Sequence, residues 1–339
     1  MRLLFIKLKH IGDSLLLTPT VAAARQACPG AEIWVVVRKG CEGILAGCPA
    51  IDRVLTSAAP ESKNRGLSTF TNELRLIREL RSQKFDYAFE LTDGDRGRAL
   101  ALLSGAENRC TNVAGWPMPW IFRWRFNRTS KYGWQTKHRV EKDFYTVNDC
   151  LPIGVEPGPL IFDESRTQGS PIEDKVSDFA VIHAGTRWRR KRWSEEKWQQ
   201  IARHLLTRVP RIVVSAGPDA EEIKLANFIS NVAPERIVST DGKLNWAQLA
   251  GLLHKAKLFV GVDTAAMHLA AACGAPIVAL FGPSIESEWK PWKANAIVVS
   301  PPLSREPNDF FDRTALESQR SINDISVEQV TAACDRLLA

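Results

Sequence analysis

The sequence predicts an α/β protein with two doubly wound parallel sheets. Short, β-branched apolar runs alternate with longer helical stretches through most of the 339 residues. Strands this apolar have no face suited to water, which is typical of parallel sheets covered by helices on both sides. One stretch rich in Pro and Gly, at 151–171, interrupts the alternation. It divides the elements into two sets and therefore predicts two domains.

The alternation assigns the elements in order. In the first half, strands are expected at 2–8, 32–38, 52–57 and 85–91, with helices near 14–27, 67–82 and 95–104. In the second half, strands are expected at 178–184, 211–217, 236–240, 258–262 and 276–282, with helices near 194–208, 219–231, 245–255 and 264–273. An amphipathic helix with Ser326 as its N-cap ends the chain. We therefore expect domains at 1–155 and 172–325, followed by a C-terminal helix at 326–339.

Composition narrows the class of protein. A hydrophobic fraction of 45% is ordinary for a globular chain. There is no run of about 18 apolar residues that could cross a bilayer. Lys7 and Lys9 interrupt what would be the apolar core of a signal peptide. The seven cysteines form no C-x-x-C pair, which argues against a disulfide framework and a zinc site. We therefore expect a reduced, cytoplasmic protein.

The charge is concentrated in the first half of the chain. The whole sequence has 45 Lys+Arg against 38 Asp+Glu, a net charge of +7. Residues 1–155 contain 23 basic and 15 acidic residues, or +8, and the remainder contains 22 and 23, or −1. This asymmetry suggests an anionic partner for the first half: nucleic acid, a membrane surface or a phosphorylated substrate.

The first candidate site is the turn KLKHIGDSLLLTPT after the first predicted strand. Gly12 allows a tight turn, which places Asp13 at the carboxyl end of that strand, where doubly wound folds bind ligands. A carboxylate at this position could act as a general base toward a hydroxyl. Asp13 or Ser14 could instead cap the following helix. Taken alone, this turn favours the capping role.

A second candidate site, HAGTRWRRKRWSEEKW at 183–198, follows the first strand of the second half. Gly185 and Thr186 precede a run of cationic and aromatic residues. Backbone amides at a helix N-terminus suit a phosphate, and neighbouring Lys or Arg side chains would neutralise a diphosphate. The alternative is a solvated basic loop, but its position directly after a strand favours anion binding.

The third candidate site is LFVGVDTAAMHLAAACGAPIVALFGPS at 258–284. Asp263 and Thr264 open an Ala-rich helix, and Asp263 has the usual character of an N-cap. His268 lies about one turn into that helix, where it could reach a ligand phosphate. A single histidine on a helix is more often structural, so this residue alone is weak evidence.

Two other segments stand out. Asp93-Gly94-Asp95 has the form of a metal-binding D-x-D, but its place before a helix favours turn and cap chemistry. Between 109 and 142, eight Lys+Arg and one acid, Glu141, are interleaved with tryptophans. This mixture could dock on an anionic membrane, clamp a phosphorylated sugar or stack on nucleic acid. A solvated loop with its tryptophans folded inward is equally compatible.

Several well-known motifs are absent. No G-x-G-x-x-G follows a strand, and no G-x-x-x-x-G-K-[ST] is found, which argues against a dinucleotide dehydrogenase and a P-loop NTPase. Neither H-E-x-x-H nor G-x-S-x-G occurs.

Together the three turns resemble the bacterial lipopolysaccharide heptosyltransferases of glycosyltransferase family 9. The resemblance consists of K-x-x-x-x-G-D, a basic G-T…K-x-W loop, and V-D-T-A-x-x-H-L-A-A followed by P-x-V-A-L-F-G-P, and it extends from about residue 2 to 295. LTDGDRGRAL and S-A-G-P-D look most like heptosyltransferase III, a branch of this family.

The resemblance implies a GT-B fold, with two Rossmann-like doubly wound domains facing a central cleft. The N-terminal domain would bind the lipopolysaccharide core and lipid A, and the C-terminal domain would bind ADP-L-glycero-D-manno-heptose. It implies inverting transfer of heptose to the inner core at the cytoplasmic face of the inner membrane. No metal, cofactor or nucleic acid is implied.

The resemblance also assigns residues. Asp13 matches the general base. The donor-binding set would be Gly185, Thr186, Lys191, Asp219, Asp263, Thr264, Ala265 and His268. Loop length leaves Arg190 and Arg192 as alternatives to Lys191, and Asp219 stands where relatives often have a Glu. Phosphates of the acceptor would meet Lys7, Lys9, Arg96 and Arg98.

Three alternatives stay open from the sequence. The chain could be a family 9 heptosyltransferase of type I or II. It could be a sugar-nucleotide epimerase of the same fold, which would need an acid–base pair that the sequence does not reveal. It could also be a non-catalytic protein that uses its basic half to hold an anionic surface.

Overall fold

The computed structural model of the protein describes residues 1–58, 67–114, 118–172 and 176–339. The chain forms two compact units, Met1–Ile161 and Phe162–Ala339. The division falls inside the Pro- and Gly-rich stretch at 151–171. All seven cysteines are free.

The first unit contains a six-stranded parallel sheet within its described residues. Its strands are β1 (Arg2–Lys7), β2 (Glu32–Arg38), β3 (Arg53–Ser57), β4 (Tyr87–Glu90), β5 (Asn108–Asn112) and β6 (Arg128–Ser130). Its helices are α1 (Ile11–Leu16), α2 (Thr18–Ala27), α3 (Leu67–Ser82), α4 (Asp95–Leu103), α5 (Trp120–Arg123) and α6 (Arg139–Cys150). The strand order is β3-β2-β1-β4-β5-β6.

The second unit repeats this architecture. Its strands are β7 (Phe179–His183), β8 (Arg211–Val214), β9 (Ile237–Ser239), β10 (Leu258–Val262), β11 (Ile277–Leu280) and β12 (Ala296–Val299). Its helices are α7 (Glu195–Leu205), α8 (Ala220–Ser230), α9 (Trp246–Lys255), α10 (Ala265–Ala272), α11 (Glu286–Trp289), α12 (Phe310–Gln319) and α13 (Val327–Leu338). The order of this parallel sheet is β12-β11-β10-β7-β8-β9.

The predicted α/β class is confirmed, since both sheets are parallel and every predicted strand and helix is present. The predicted helix at 14–27 is interrupted at Leu17 and forms α1 and α2. The central strands are buried as their composition requires: all residues of β7 and β10, and all of β1 except Arg2, are removed from water. No helix of the described residues is long and apolar enough to span a bilayer.

The strand order locates the ligand-binding edge of each sheet. β1 lies between β2 and β4, and β7 lies between β8 and β10. The chain reverses its direction of strand addition at the pairs β1–β4 and β7–β10. Open parallel sheets bind ligands beyond the carboxyl ends of the strands at such a switch point. The residues that follow these strands are therefore where a site is expected.

Candidate functional site

The carboxyl end of β10 carries a cluster centred on Asp263. The Lys191 ammonium donates to Oδ2 of Asp263 at 2.6 Å, and the Ser284 hydroxyl donates to the same oxygen at 2.7 Å. Nε2 of His268 lies 3.9 Å from the other oxygen, Oδ1. Asp263 itself is buried. One carboxylate thus gathers a cation, a hydroxyl and an imidazole beside the switch point of the second sheet.

The N-terminus of α10 opens next to this cluster. Thr264, not Asp263, is the N-cap residue, and its side chain makes no capping hydrogen bond. The first backbone N–H groups of a helix have no partner inside the helix and carry its positive dipole end. Because the Thr264 side chain does not cap them, these amide N–H groups can donate hydrogen bonds to an anion. The neighbouring Ala265 has only a small side chain.

The loop after β7 brings Lys191 to Asp263. Thr186 is buried, and its hydroxyl accepts from the backbone N–H of Trp188 at 3.3 Å. The following single turn of 3-10 helix, Arg189–Lys191, ends with Lys191 directed at Asp263. Of the three cations considered for this role, Lys191 makes the contact, whereas Arg192 pairs with Glu221 at 2.5 Å.

A carboxylate that the sequence reasoning missed lies at the end of β8. Asp219 is exposed and caps α8 by accepting from the Glu221 backbone N–H at 3.0 Å. Glu222 instead reaches the sheet edge, where Oε2 accepts from Gly217 N–H at 2.9 Å. A Cβ placed on Gly185 would lie 2.6 Å from that oxygen, so a side chain there would displace the Glu222 carboxylate. Asp219 and Glu222 stand three residues apart, which is the spacing of a capping box. This spacing is the sequence pattern that could have indicated Glu222.

His183, the last residue of β7, lies at the same carboxyl edge of the second sheet. It is buried, and its Nδ1 lies 2.8 Å from the Ser215 hydroxyl. Burial lowers the pKa of His183 to about 4, so the ring is neutral at physiological pH. A neutral imidazole adds no charge beside the cluster at Asp263.

The carboxyl edge of the first sheet is held by buried ion pairs. Lys7, at the end of β1, donates to both oxygens of Asp143, at 2.8 and 2.6 Å, and both side chains are buried. Lys142 pairs with Asp93 at the same edge. Burial, with a smaller contribution from the charge of Lys7, lowers the pKa of Lys142 to about 7.

Asp13 stands at the third position of α1 and is buried. Its Oδ2 accepts from the backbone N–H of His10 at 3.2 Å, as the capping role predicts. Among the described residues none donates to Oδ1, which leaves that oxygen able to accept a proton. Burial, and then the charge of Lys7, lower the pKa of Lys9, and the nearby charge of Asp13 opposes this shift only in part.

The predicted acceptor-binding cations are mostly engaged inside the first unit. Lys7 is buried against Asp143, and Arg98 is buried and pairs with Asp95 at 3.0 Å. Arg96 pairs with Glu73 at 3.0 Å and donates to a serine hydroxyl at 2.7 Å. Acceptor phosphates were expected to meet Lys7 and Arg98, and the structure buries both side chains and places each in an ion pair. Lys9 is the predicted cation with no ion pair among the described residues.

The carboxylates of the D-x-D segment are also engaged. Asp93 pairs with Lys142 and Asp95 pairs with Arg98. Within the described residues, no group of three or more His, Cys, Asp or Glu side chains is arranged to hold a metal ion.

The basic, Trp-rich segment is divided between interior and surface. Trp134 is buried, and its indole N–H donates to the Ala114 carbonyl at 2.9 Å. Trp120 and Trp124, in and directly after α5, are 77% and 85% exposed. Trp116 lies outside the described residues. Trp134 is therefore folded inward, which was one of the alternatives, whereas the indole rings of Trp120 and Trp124 are exposed to solvent.

Residues 73–317 match the model of glycosyltransferase family 9 (heptosyltransferase). The match covers more than half of the chain. The protein belongs to glycosyltransferase family 9. It is therefore a glycosyltransferase, as the three turns predicted.

Relatives of this family 9 glycosyltransferase cover nearly all of its length. It is 25% identical to "Lipopolysaccharide heptosyltransferase 3" of Escherichia coli K12, over 98% of the chain and 96% of that protein. It is 27% identical to "Lipopolysaccharide heptosyltransferase 1" of Pseudomonas aeruginosa, over 84% of the chain and 79% of that protein.

Solved structures of heptosyltransferases share the fold of this family 9 protein. The E. coli heptosyltransferase WaaC with ADP superposes with a TM-score of 0.81 at 20% identity, covering 99% of this chain and 100% of that chain. E. coli ADP-heptose lps heptosyltransferase II gives a TM-score of 0.76 at 19% identity, covering 100% and 98%. The predicted GT-B fold is confirmed by these likenesses.

Proposed function

We propose that this protein is a lipopolysaccharide heptosyltransferase that transfers heptose from ADP-L-glycero-D-manno-heptose to the inner core, with inversion at the anomeric carbon. The observation that carries the proposal is the cluster of Lys191, Asp263 and Ser284 at the uncapped N-terminus of α10. Such a cluster is suited to a diphosphate leaving group. The names of the relatives support heptose as the transferred sugar.

The second unit would bind the donor. The amides at Thr264 and Ala265 would hold the diphosphate. The Lys191 ammonium, which pairs with Asp263, would also donate hydrogen bonds to the phosphate oxygens. Gly185 and Thr186 would let the nucleotide approach the end of β7. Glu222 and His268 would add hydrogen bonds to donor hydroxyls or phosphate, whereas Asp219 would act through the cap of α8.

The first unit would bind the acceptor and supply the base. Asp13 would take the proton from the acceptor hydroxyl through its unbonded Oδ1. The hydroxyl oxygen would then form a bond to the anomeric carbon on the face opposite ADP, while the bond from that carbon to the diphosphate breaks. Negative charge would grow on the leaving ADP, where Lys191 and the α10 dipole stabilise it. The step needs neither a cofactor nor a metal.

Lys9 and the exposed segment around α5 would face the acceptor and the lipid that carries it. Trp120, Trp124 and the neighbouring Arg123 and Arg125 combine indole rings with positive charge, which suits an anionic bilayer surface. We infer from this combination a peripheral position at the cytoplasmic face of the inner membrane. Lys7, Arg96 and Arg98 would shape the acceptor site from inside the unit.

A transfer assay with defined acceptors tests this function. The protein is incubated with ADP-heptose and with truncated lipopolysaccharide cores that carry no heptose, one heptose or two. Released ADP and the mass of each core are measured. We expect the two-heptose core to gain one heptose, as for a type III enzyme. Gain on one of the shorter cores would assign type I or II instead, and if no core gains a heptose the proposed function fails.

A further inference from the structure

The second unit contains a basic cavity that the donor set does not use. It has a volume of about 450 Å³ and lies between the turn at 189–192 and the segment at 318–323. Arg189, Arg190, Arg192 and Arg320 line it, and no lining residue in the described part of the chain is acidic. Its size falls in the range of small-molecule sites.

Arg320 is fixed in the wall of this basic cavity. Its side chain is only 7% exposed, and Nη1 donates to Glu286 at 2.7 Å. Its Nε is buried without a hydrogen-bond partner among the described residues. Arg320 also lies 4.0 Å from Glu317, so its guanidinium is already ordered and a ligand would not have to immobilise it.

The charge of the cavity is not balanced by its surroundings. Arg192 is offset by Glu221, at 2.5 Å, and Arg320 is offset by Glu286. Arg189 and Arg190 are exposed, and no carboxylate in the described part of the chain lies within ion-pair distance of either. Arg189 and Arg190 therefore stand at the mouth as cations without an ion pair in the described part of the chain, and the charge of Arg189 also helps to lower the pKa of Glu221, after the larger effect of Arg192. A phosphate monoester carries about −1.5 to −2 at pH 7, which matches these two cations.

The cavity is separate from the donor cluster although both use one turn of chain. Lys191 points to Asp263, whereas its neighbours Arg190 and Arg192 line the cavity. Neither Asp263 nor His268 is among the lining residues. The turn thus directs one cation to the donor cluster and the others to the basic cavity.

We propose that the basic cavity is a binding site for a phosphate monoester, carried on a sugar or present as free phosphate. Guanidinium groups bind phosphate oxygens in pairs, and Arg189, Arg190 and Arg320 surround the space from two sides. Ser318 and Asn323 supply polar atoms at the wall for sugar hydroxyls. The site is independent of the donor and does not require the proposed function to hold.

Calorimetric titration of the full chain tests the site. The probes are mannose 6-phosphate, inorganic phosphate and uncharged mannose, each with and without saturating ADP. We expect mannose 6-phosphate to bind and mannose not to bind, with ADP leaving the affinity unchanged. The double variant Arg189→Gln/Arg190→Gln should bind at least about tenfold more weakly, since charged hydrogen bonds are lost. Arg203→Gln, an exposed arginine of α7 outside the cavity, is the matched control and should bind normally.

Each outcome decides the proposal. Tighter binding of mannose 6-phosphate than of inorganic phosphate supports a sugar phosphate as the source, and equal binding supports free phosphate. The site is rejected if the double variant keeps wild-type affinity while its melting temperature is unchanged. It is also rejected if ADP displaces the probe, because the cavity would then belong to the donor cluster, or if neither phosphate probe binds.

Discussion

Buried charges at the carboxyl edge of the first sheet hold one another in place. Lys7 and Asp143 are both almost without solvent contact, and Lys7 makes two hydrogen bonds to the carboxylate. Taking each charge out of water is costly, so the pair is stable only while both partners are present. Asp13 lies one turn of chain beyond Lys7, and we infer that this pair fixes the backbone that carries the proposed base.

Removing one partner of that pair should destabilise the protein severely. We expect Lys7→Met to lower the free energy of unfolding by about 3–5 kcal/mol, because Asp143 is then left buried and unpaired. The double variant Lys7→Met/Asp143→Leu should recover a large part of that loss. Urea unfolding followed by circular dichroism measures both. Equal losses in the single and double variants would show that the pair is not the cause.

The neutral His183 predicts a specific loss of stability in acid. Its pKa of about 4 in the folded protein lies below the usual value of 6.5, so the unfolded chain binds the proton first. The stability that the neutral His183 contributes is therefore fully present above pH 6.5 and is lost as the pH falls from 6.5 to about 4. The difference between the two pKa values corresponds to roughly 3 kcal/mol. His183→Gln should lack this component when urea unfolding is compared at pH 7 and pH 4.5. A variant with the same acid loss as the wild type would contradict the assignment.

Gly185 has no side chain, which leaves room for the Glu222 carboxylate beside the proposed donor site. A methyl group at this position would lie 2.6 Å from Oε2 of Glu222, so Gly185→Ala should push that carboxylate from the sheet edge. We expect ADP to bind about tenfold more weakly, measured by calorimetry, which corresponds to about 1.4 kcal/mol. Gly30→Ala is the control, because a methyl group there meets nothing within 4 Å. Unchanged ADP affinity in Gly185→Ala would remove Glu222 from the donor set.

At the scale of elements, α5 is the one most clearly built for a surface. It has four residues, none of them buried, and Trp124 follows it directly. We expect Trp120→Ser/Trp124→Ser to reduce sedimentation with anionic phosphatidylglycerol vesicles by about tenfold or more, because both indole anchors are lost. Phosphatidylcholine vesicles should bind the wild type weakly. Trp134→Phe tests an inward indole as a control, and vesicle binding that survives the double variant would place the membrane contact elsewhere.

Most elements could be predicted from local patterns, but the strands β5 and β6 and the helix α6 are among those that could not. β6 consists of Arg-Thr-Ser with one buried side chain, and β5 reads Asn-Arg-Cys-Thr-Asn, so neither has the apolar run that marks a central strand. α6 escaped prediction because its charges merged with the basic, Trp-rich segment before it. β5 and β6 are specified by packing against neighbours and not by their own composition.

In the candidate site, residues that belong to a local sequence pattern could be predicted, and residues brought there by a neighbouring strand could not. Asp13, Lys191 and Asp263 each lie in a strand–turn–helix whose pattern is local, so the sequence indicates them. Ser284 reaches Asp263 because β11 lies beside β10, and Glu222 reaches the carboxyl end of β7 because β8 lies beside β7. The buried pairing of Lys7 with Asp143, across 136 positions, has no local signal either.

At the scale of the whole molecule, both units have the same strand arrangement. In each, the first strand of the unit lies in the middle of a parallel sheet, next to the switch point. The net charge of residues 1–155 suggested an anionic partner for the first half of the chain. The structure places part of that charge in interior ion pairs and part in the exposed segment around α5. The second half has a net charge of −1 but concentrates arginines in the turn at 189–192. Net charge thus indicated an anionic partner without locating it.

The measurement that tests this account most directly is single-turnover heptose transfer by Asp13→Asn, compared with its affinity for ADP-heptose. Asn keeps an oxygen for the cap of α1 and loses the basic carboxylate. We expect donor affinity within about twofold of the wild type and transfer slower by about 10²–10⁴, the usual contribution of a general base. Transfer at the wild-type rate by Asp13→Asn, or no transfer by the wild type itself, would contradict the account.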